Sequence, residues 1–139
     1  MFTGAMFLPA VLLFCIGCST STPTTSENEL ESGSVTELAD MAMAEVEEIK
    51  FCLSEDAGIE SIQESANRLQ KVVKALPGSV SAAGLSPAKT EKLNGSIQSL
   101  TTAYDSLVSS LESQASSREI SKVNSKINSE IKKLAKLSK

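Results

Sequence analysis

The chain has 139 residues, with 17 acidic and 13 basic side chains, no histidine and no tryptophan. The missing histidine excludes a Ser-His-Asp triad, a Cys-His dyad and the Glu-x-x-His di-iron sites of helical bundles within this chain. It also removes the commonest transition-metal ligand. The length suits one ordinary domain rather than two. We therefore expect a single domain that is not an enzyme and that holds neither a metal nor a cofactor.

An apolar segment occupies residues 5–17 and ends immediately before Cys18. It has about 13 residues, which suits the hydrophobic region of a signal peptide, whereas about 20 are needed to cross a bilayer as a helix. The motif Leu13-Phe14-Cys15-Ile16-Gly17-Cys18 resembles the lipobox of bacterial lipoproteins. The resemblance implies that residues 1–17 are a signal peptide, that Cys18 is lipidated, and that a lipid anchors the protein to a membrane of the cell envelope.

Two features depart from the lipoprotein pattern. The position three before Cys18 holds Cys15, where the family usually has Leu, and residues 1–4 contain no Lys or Arg. Secretion with cleavage near Gly17 and retention of the apolar segment are therefore the alternatives. The resemblance ends at Cys18, so it implies nothing about the fold of the rest of the chain.

The stretch after Cys18 is rich in Ser, Thr, Pro, Glu and Gly, and Leu30 is its single large apolar residue. Such a composition cannot bury enough apolar surface to offset the chain entropy. We predict a disordered tether over residues 18–34 and a folded domain over residues 35–139. A flexible tether of about 15 residues averages roughly 20 Å from end to end.

Apolar residues recur at spacings of three and four along the remainder, which is typical of amphipathic helices. Ser34 with Glu37 and Ser116 with Glu119 form capping-box patterns, and Ser86-Pro87 is a further favourable helix start. The sequence predicts an all-α fold, a small antiparallel bundle of about four helices with coiled-coil spacing in the second. The four stripes are Val35, Leu38, Ala42, Val46, Ile49, Leu53; Ile59, Ile62, Ala66, Leu69, Val73, Leu76; Leu93, Ile97, Leu100, Tyr104, Leu107, Leu111; and Ile120, Val123, Ile127, Ile131, Leu134, Leu137.

Breaks in these stripes predict the connections. We expect turns at residues 54–58 and 113–117, with one kinked helix through Gly58 as the alternative at the first. Pro77-Gly78 is predicted to end the second helix, and residues 77–86 to form the longest internal loop. Gly95 interrupts the third helix without a change of phase, so its start is either at Pro87 or delayed to Ser96.

Several chemistry-bearing residues have a structural interpretation. Cys52 falls on an apolar side and should be buried, with an intermolecular disulfide or a reactive thiol as the alternatives. Tyr104 should lie in the core with its hydroxyl at the edge. The exposed side of the second helix should carry a Glu64–Arg68 pair. The acids at residues 45–48 and 55–60 should occupy solvated helix faces rather than a catalytic or calcium site.

Charge is divided unevenly along the chain. Residues 19–67 contain twelve acids and one base, whereas residues 68–139 contain twelve bases and five acids. We expect an acidic and a basic helix to lie side by side, so that these charges serve the bundle. The alternative is that the basic end meets an anionic surface, either phospholipid or cell-wall polymer.

The last predicted helix is the best candidate for a functional surface. Lys132, Lys133 and Lys136 favour the negative pole of the helix dipole, and they are also candidate contacts for an anionic surface. The outline with Cys18 and Lys139 at opposite ends is similar to the murein lipoprotein, whose terminal lysine is joined to peptidoglycan. The apparent helix breaks at Gly58, Pro77 and Ser116 depart from that family.

These patterns favour a lipid-anchored envelope protein whose helical bundle acts as a non-catalytic binding or structural module. The alternative is a wall- or membrane-tethering spacer that uses the basic C-terminal helix, and an enzyme or a carrier of apolar ligands ranks third. A protein partner or self-association is compatible with this interpretation. Nucleic acid is not expected as a partner, since no aromatic residues are interleaved with the basic ones.

Overall fold

The computed structural model describes Leu30 and residues 32–139. Within residues 35–139 the chain forms four helices, α1 (Val35–Ser54), α2 (Ile59–Ala82), α3 (Pro87–Glu112) and α4 (Ser117–Ser138). The predicted all-α class is confirmed, and the described part of the chain contains no strand. The predicted signal peptide, Cys18 and most of the predicted tether lie outside the described residues.

The helices form a ring in which each packs on two neighbours, α1 on α2 and α4, and α3 on α2 and α4. Short connections make consecutive helices antiparallel. The first and last helices are antiparallel as well, because Thr36 near the start of α1 lies against Ser138 at the end of α4, with 3.1 Å between the hydroxyl oxygens. The result is an antiparallel four-helix bundle.

The four predicted apolar stripes pack against one another and form the core. Of their members, only Leu53, Ile59, Val123 and Leu137 are half-buried, and every other one is buried. Leu30, which the sequence assigns to the predicted disordered tether of residues 18–34, is only 6% exposed and joins the same cluster. The prediction of disorder is therefore wrong at this residue, because its apolar side chain packs in the core. Burying a side chain of this size contributes about 1.5–3 kcal/mol, so the stripes hold the bundle together.

The predicted helix starts are confirmed. Ser34 accepts a hydrogen bond from the Glu37 amide at 3.3 Å and donates its own amide to the Glu37 carboxylate at 2.7 Å. Ser116 and Glu119 repeat this box at the start of α4. The hydroxyl of Ser86 caps α3. Each box satisfies amide groups that have no partner within the helix.

The turns at residues 54–58 and 113–117 are confirmed, so α1 and α2 are separate helices. Each turn contains a non-glycine residue in the left-handed region, Asp56 and Gln114, both with φ of 51°. Asp and other short polar residues tolerate this conformation better than branched ones do. These residues reverse the chain tightly enough for the helices on either side to pack together.

The prediction that Pro77-Gly78 ends the second helix is wrong, and residues 77–86 are not a long loop. Helix α2 continues through Pro77 to Ala82, and the connection to α3 is residues 83–86. Proline removes one hydrogen bond to the preceding turn, but it does not prevent the following residues from being helical. Val80 is buried, and the hydroxyl of Ser79 donates to the Gly33 carbonyl at 2.6 Å, so the last turn gains contacts. A glycine with positive φ, Gly84 at 62°, then follows the helix.

The structure also decides three predictions about Cys52, Tyr104 and the start of the third helix. Cys52 and Tyr104 are 5% and 4% exposed, as expected of core residues. Burial raises the pKa of both groups. Helix α3 begins at Pro87 rather than at Ser96, so Gly95 lies in a helix interior.

Candidate functional site: the outward face of α4

Helix α4 divides its residues between two opposite sides. Ile120, Ile127, Ile131 and Leu134 are buried on the inner side. At 100° per residue, six bases fall within roughly a third of the helix circumference on the other side. All six are exposed, and we call them the basic face: Arg118, Lys122, Lys126, Lys132, Lys133 and Lys136.

The acids of α4 lie beside the basic face, toward α3. Glu119 helps to line the groove between α3 and α4. Glu130 has only 12% of its side chain exposed and accepts a hydrogen bond from Lys133 at 2.7 Å. The outward arc itself is completed by serines, Ser121, Ser125 and Ser129, all of them exposed.

Most of the basic face is uncompensated. Lys133 pairs with Glu130, and among residues 32–139 no other base of the face has a carboxylate partner within 4.0 Å. Helices α1 and α4 are neighbours, as expected, but none of the ion pairs in this part of the chain joins them. Four of the α1 acids are exposed to solvent instead: Glu37, Asp40, Glu47 and Glu48. The structure therefore brings the acidic and basic helices together without pairing their charges.

The basic face reaches the end of the bundle at which the chain enters. The Thr36–Ser138 contact places the start of α1 beside the end of α4, and the hydrogen bond from Ser79 holds Gly33 at the same end. Lys132, Lys133 and Lys136 occupy the last turns of α4, so they lie at this entry end. From Arg118 to Lys136 the face extends about 27 Å, at a rise of 1.5 Å per residue.

The fold also converts the charge division along the sequence into one along the bundle axis. When each helix is divided at its midpoint, the entry half of residues 35–139 holds eight bases and four acids. The opposite half holds five bases and ten acids. The described bundle is thus positive at the end where the chain enters and negative at the far end.

One polar cluster was only partly anticipated. The predicted Glu64–Arg68 pair is confirmed, with 3.0 Å between Nη1 and the carboxylate. The guanidinium also donates from Nε to both oxygens of Glu45, at 2.9 and 3.0 Å, and from Nη2 to Ser65. The placement of Glu45 on a solvated face is therefore wrong, since only 15% of its side chain is exposed. Its position one turn from both Ala42 and Ile49 was the available signal.

The electrostatics of Glu45 reflect two opposing causes. Burial removes water from the carboxylate and raises its pKa above the ordinary 4.5, while the hydrogen bond and positive charge of Arg68 act in the opposite direction. Desolvation is the larger of the two effects. The cluster therefore attaches α2 to α1 through a charged group that is partly dehydrated, and its role is structural.

The core also contains a buried amide that the apolar pattern does not predict. Asn124 is 3% exposed, and its Nδ2 donates to the main-chain carbonyl of Val46 at 2.9 Å. Its Oδ1 is buried and accepts no hydrogen bond from the described residues. The only signal was its place next to Val123, one turn after Ile120, at the edge of the apolar stripe.

A shallow cavity of about 310 Å³ opens between α2 and α3. It has an apolar floor and a polar rim, and its size is at the lower end for sites that bind small molecules. No group of three or more Cys, Asp or Glu side chains in the described part of the chain is placed to hold a metal ion. The residues that line the cavity are Gln63, Ala66, Asn67, Tyr104, Val108, Leu111 and Glu112.

No known protein family matches this chain, and neither does any curated protein or solved structure. Within the described residues, no helix is both long and apolar enough to cross a bilayer.

Proposed function

We propose that this chain is a lipid-anchored component of the bacterial cell envelope, in which α1–α4 form a non-catalytic binding or structural module. The observation that carries the proposal is Cys18, which ends a lipobox-like motif after an apolar segment of signal-peptide length. A thiol at this position is the acceptor of the lipid in bacterial lipoproteins. The proposed mature protein begins at Cys18.

The module role is supported by the way polar groups are used inside the bundle. Arg68 binds Glu45, Glu64 and Ser65, and the Asn124 amide binds the main chain of α1. These contacts hold helices together, and they leave the charged groups of the cluster engaged with one another. Such an arrangement favours a rigid body that presents its outer surface to a partner.

The geometry also suits a body held at one end. The chain enters the bundle at the end where α1 starts, and the part of the predicted tether before Leu30 precedes this point. Helices of 20 to 26 residues then extend about 30–39 Å from that end, at 1.5 Å per residue. The outer faces of α2 and α3 and the far end of the bundle are the surfaces that such an attachment presents to other envelope components.

Metabolic labelling tests the anchor. The protein is expressed in a bacterium that processes lipoproteins, and the cells are fed a fatty-acid analogue that carries a detectable tag. We expect the label on the wild-type protein and on Cys52→Ala, a control that removes the buried thiol, and no label on Cys18→Ala. Equal labelling of Cys18→Ala and wild type, or an unlabelled wild type, would refute the anchor.

A further inference from the structure

We propose that the basic face of α4 docks on the anionic phospholipid surface of the membrane that holds the anchor, and so lays the bundle against its own membrane. This inference rests on the proposed function for the identity of the membrane. It goes beyond that function by assigning a contact surface to the folded domain. The docking contact is electrostatic and reversible.

Charge complementarity carries the proposal. Five of the six bases have no carboxylate partner among residues 32–139, and all six are exposed on one side of α4. No acid interrupts this side over about 27 Å. Basic residues near an anionic leaflet each strengthen binding by about 1 kcal/mol, or roughly fivefold. Unpaired bases that share one flat side can approach such a surface together.

The apolar side of α4 packs in the core of the bundle, and this determines how the helix can contact a membrane. Ile127, Ile131 and Leu134 are 0% exposed in the core. An amphipathic helix that inserts into lipid must offer its apolar side to the acyl chains. Because α4 has that side in the bundle, only its charged side is available. Docking is therefore peripheral, at the depth of the headgroups, and it should be sensitive to salt.

The position of the face explains why lipid is the favoured occupant. Lys132, Lys133 and Lys136 lie at the end where the chain enters, which is the end nearest to the proposed anchor. Residues 19–29 separate Cys18 from Leu30, which is packed in the core. A flexible chain of about 11 residues averages roughly 18 Å from end to end, so the face stays within reach of the leaflet. Tethering of this kind gives an effective concentration in the millimolar range, at which even weak docking is populated.

The neighbouring acids set the orientation. Glu37, Asp40, Glu47 and Glu48 are exposed on α1, the helix that packs next to α4. An anionic surface attracts α4 and repels these carboxylates. The bundle should therefore lie with α4 toward the membrane and with the acidic side of α1 turned away from it.

The test uses the mature chain without lipid, residues 19–139, which includes all the described core residues. Its binding is measured by co-sedimentation with vesicles of phosphatidylcholine alone and of equal parts phosphatidylcholine and phosphatidylglycerol. The variant combines Lys132→Gln, Lys133→Gln and Lys136→Gln. The control combines Lys74→Gln, Lys89→Gln and Lys92→Gln, which removes the same charge from α2 and α3. Circular dichroism verifies that each variant is folded.

We expect binding to the anionic vesicles only, and we expect it to weaken steeply as salt rises from about 0.1 M to 1 M, where the screening length falls from about 10 to 3 Å. The α4 variant should bind about a hundredfold more weakly, and the control should lose much less. A second variant, Lys122→Gln with Lys126→Gln, should show an intermediate loss.

Three outcomes would overturn the proposal: no binding to anionic vesicles, equal losses in the α4 variant and its control, or binding to a purified anionic wall polymer with none to vesicles. The chain used here carries no lipid. Failure of docking is thus separate from failure of the anchor, which the labelling of Cys18 tests independently.

Discussion

Asn124 in α4 donates a 2.9 Å hydrogen bond from its side chain to the main-chain carbonyl of Val46 in α1. The bond joins the first and last helices through the interior of the bundle, between residues 78 positions apart in the chain. Because a shift of one helix along the other would break it, this bond fixes their axial register. The Oδ1 of the same side chain is buried and accepts no hydrogen bond from the described residues. Asn124 is therefore costly to stability, since a buried polar atom without a hydrogen bond loses its hydration without replacement.

The cost of this buried amide can be measured by replacing Asn124 with residues of similar size. Asn124→Leu removes both the bonded donor and the partnerless acceptor, so we expect a change within about 1 kcal/mol of the wild type or a gain in stability. Asn124→Asp puts a carboxylate at the same buried place and should cost about 2 kcal/mol or more near neutral pH. Urea denaturation gives both values. A large loss for Asn124→Leu would mean that the bond to Val46 outweighs the cost of the Oδ1.

Arg68 should contribute more to stability than its exposed partner does. Arg68→Ala leaves the half-dehydrated Glu45 carboxylate without its counter-ion, and we expect a loss of about 2 kcal/mol at neutral pH. The matched control is Glu64→Ala, whose side chain is 75% exposed and whose loss should stay below about 0.5 kcal/mol. Equal losses in the two variants would contradict the assignment of Glu45 as the buried partner.

The same cluster predicts a pH dependence. The pKa of Glu45 is raised in the folded protein, so the folded state holds this proton more tightly than the unfolded state does. Its contribution to stability is therefore greatest below the ordinary value of 4.5 and falls as pH rises through the folded-state pKa. Without Arg68 the dehydration of the Glu45 carboxylate is no longer opposed, so its pKa should rise further. The stability lost in Arg68→Ala should therefore be smaller at acidic pH. It should also be smaller when Glu45→Gln is added. Unfolding curves recorded across this pH range measure the free energy of unfolding of each variant. A loss of stability in Arg68→Ala that does not change with pH would contradict the raised pKa of Glu45.

Two glycines in and beside α3 should respond oppositely to alanine. A Cβ at Gly95 would meet no atom within 4 Å, and the residue lies in a helix interior. Gly95→Ala should therefore raise stability by about 0.5–1 kcal/mol. Gly84 has equal space but a φ of +62°, so Gly84→Ala should be destabilising by about 1 kcal/mol. The melting temperatures of the two variants measure these opposite effects. A higher melting temperature for both Gly95→Ala and Gly84→Ala would contradict the left-handed conformation at Gly84.

Pro77 inside α2 should lower the stability of the protein, and the packing of the last turn of the helix should more than offset this loss. Pro77→Ala supplies the missing amide and should stabilise the protein by about 1–3 kcal/mol. Pro87 is the control, because it occupies the first turn of α3, where proline is favourable. Pro87→Ala should be neutral or slightly destabilising. A loss of stability in Pro77→Ala would mean that the proline shapes the helix in a way that the packing of Val80 requires.

The sequence predicts the structure correctly where interactions between neighbours in the chain determine it. The box formed by Ser34 and Glu37 and the stripe from Leu93 to Leu111 depend on neighbours in the chain, and both appear in the structure as predicted. It failed at Pro77, because the burial of Val80 and the bond from Ser79 to Gly33 are long-range contacts that override a local breaker. Glu45 and Asn124 were misplaced or missed for the same reason, since each is defined by a partner on another helix.

Only part of the basic face could be predicted from the sequence. The bases of the last helix could be counted, and their period placed them opposite the apolar stripe. Whether the acids of α1 neutralise them depends on the rotation of two neighbouring helices about their axes, which a single sequence does not specify. In the structure four acids of α1 are exposed, and every base of the face except Lys133 lacks a carboxylate partner among the described residues. This arrangement favours an external anionic partner over internal pairing.

Mass spectrometry of the N-terminal peptide of the mature protein, purified from cell membranes, tests the central claim most directly. Lipid-anchored maturation predicts a chain that begins at Cys18 and carries the mass of a thioether-linked diacylglycerol, with residues 1–17 absent. A mature chain that begins at Ser19 or near Gly17 without lipid, or one that retains the apolar segment, would contradict the account.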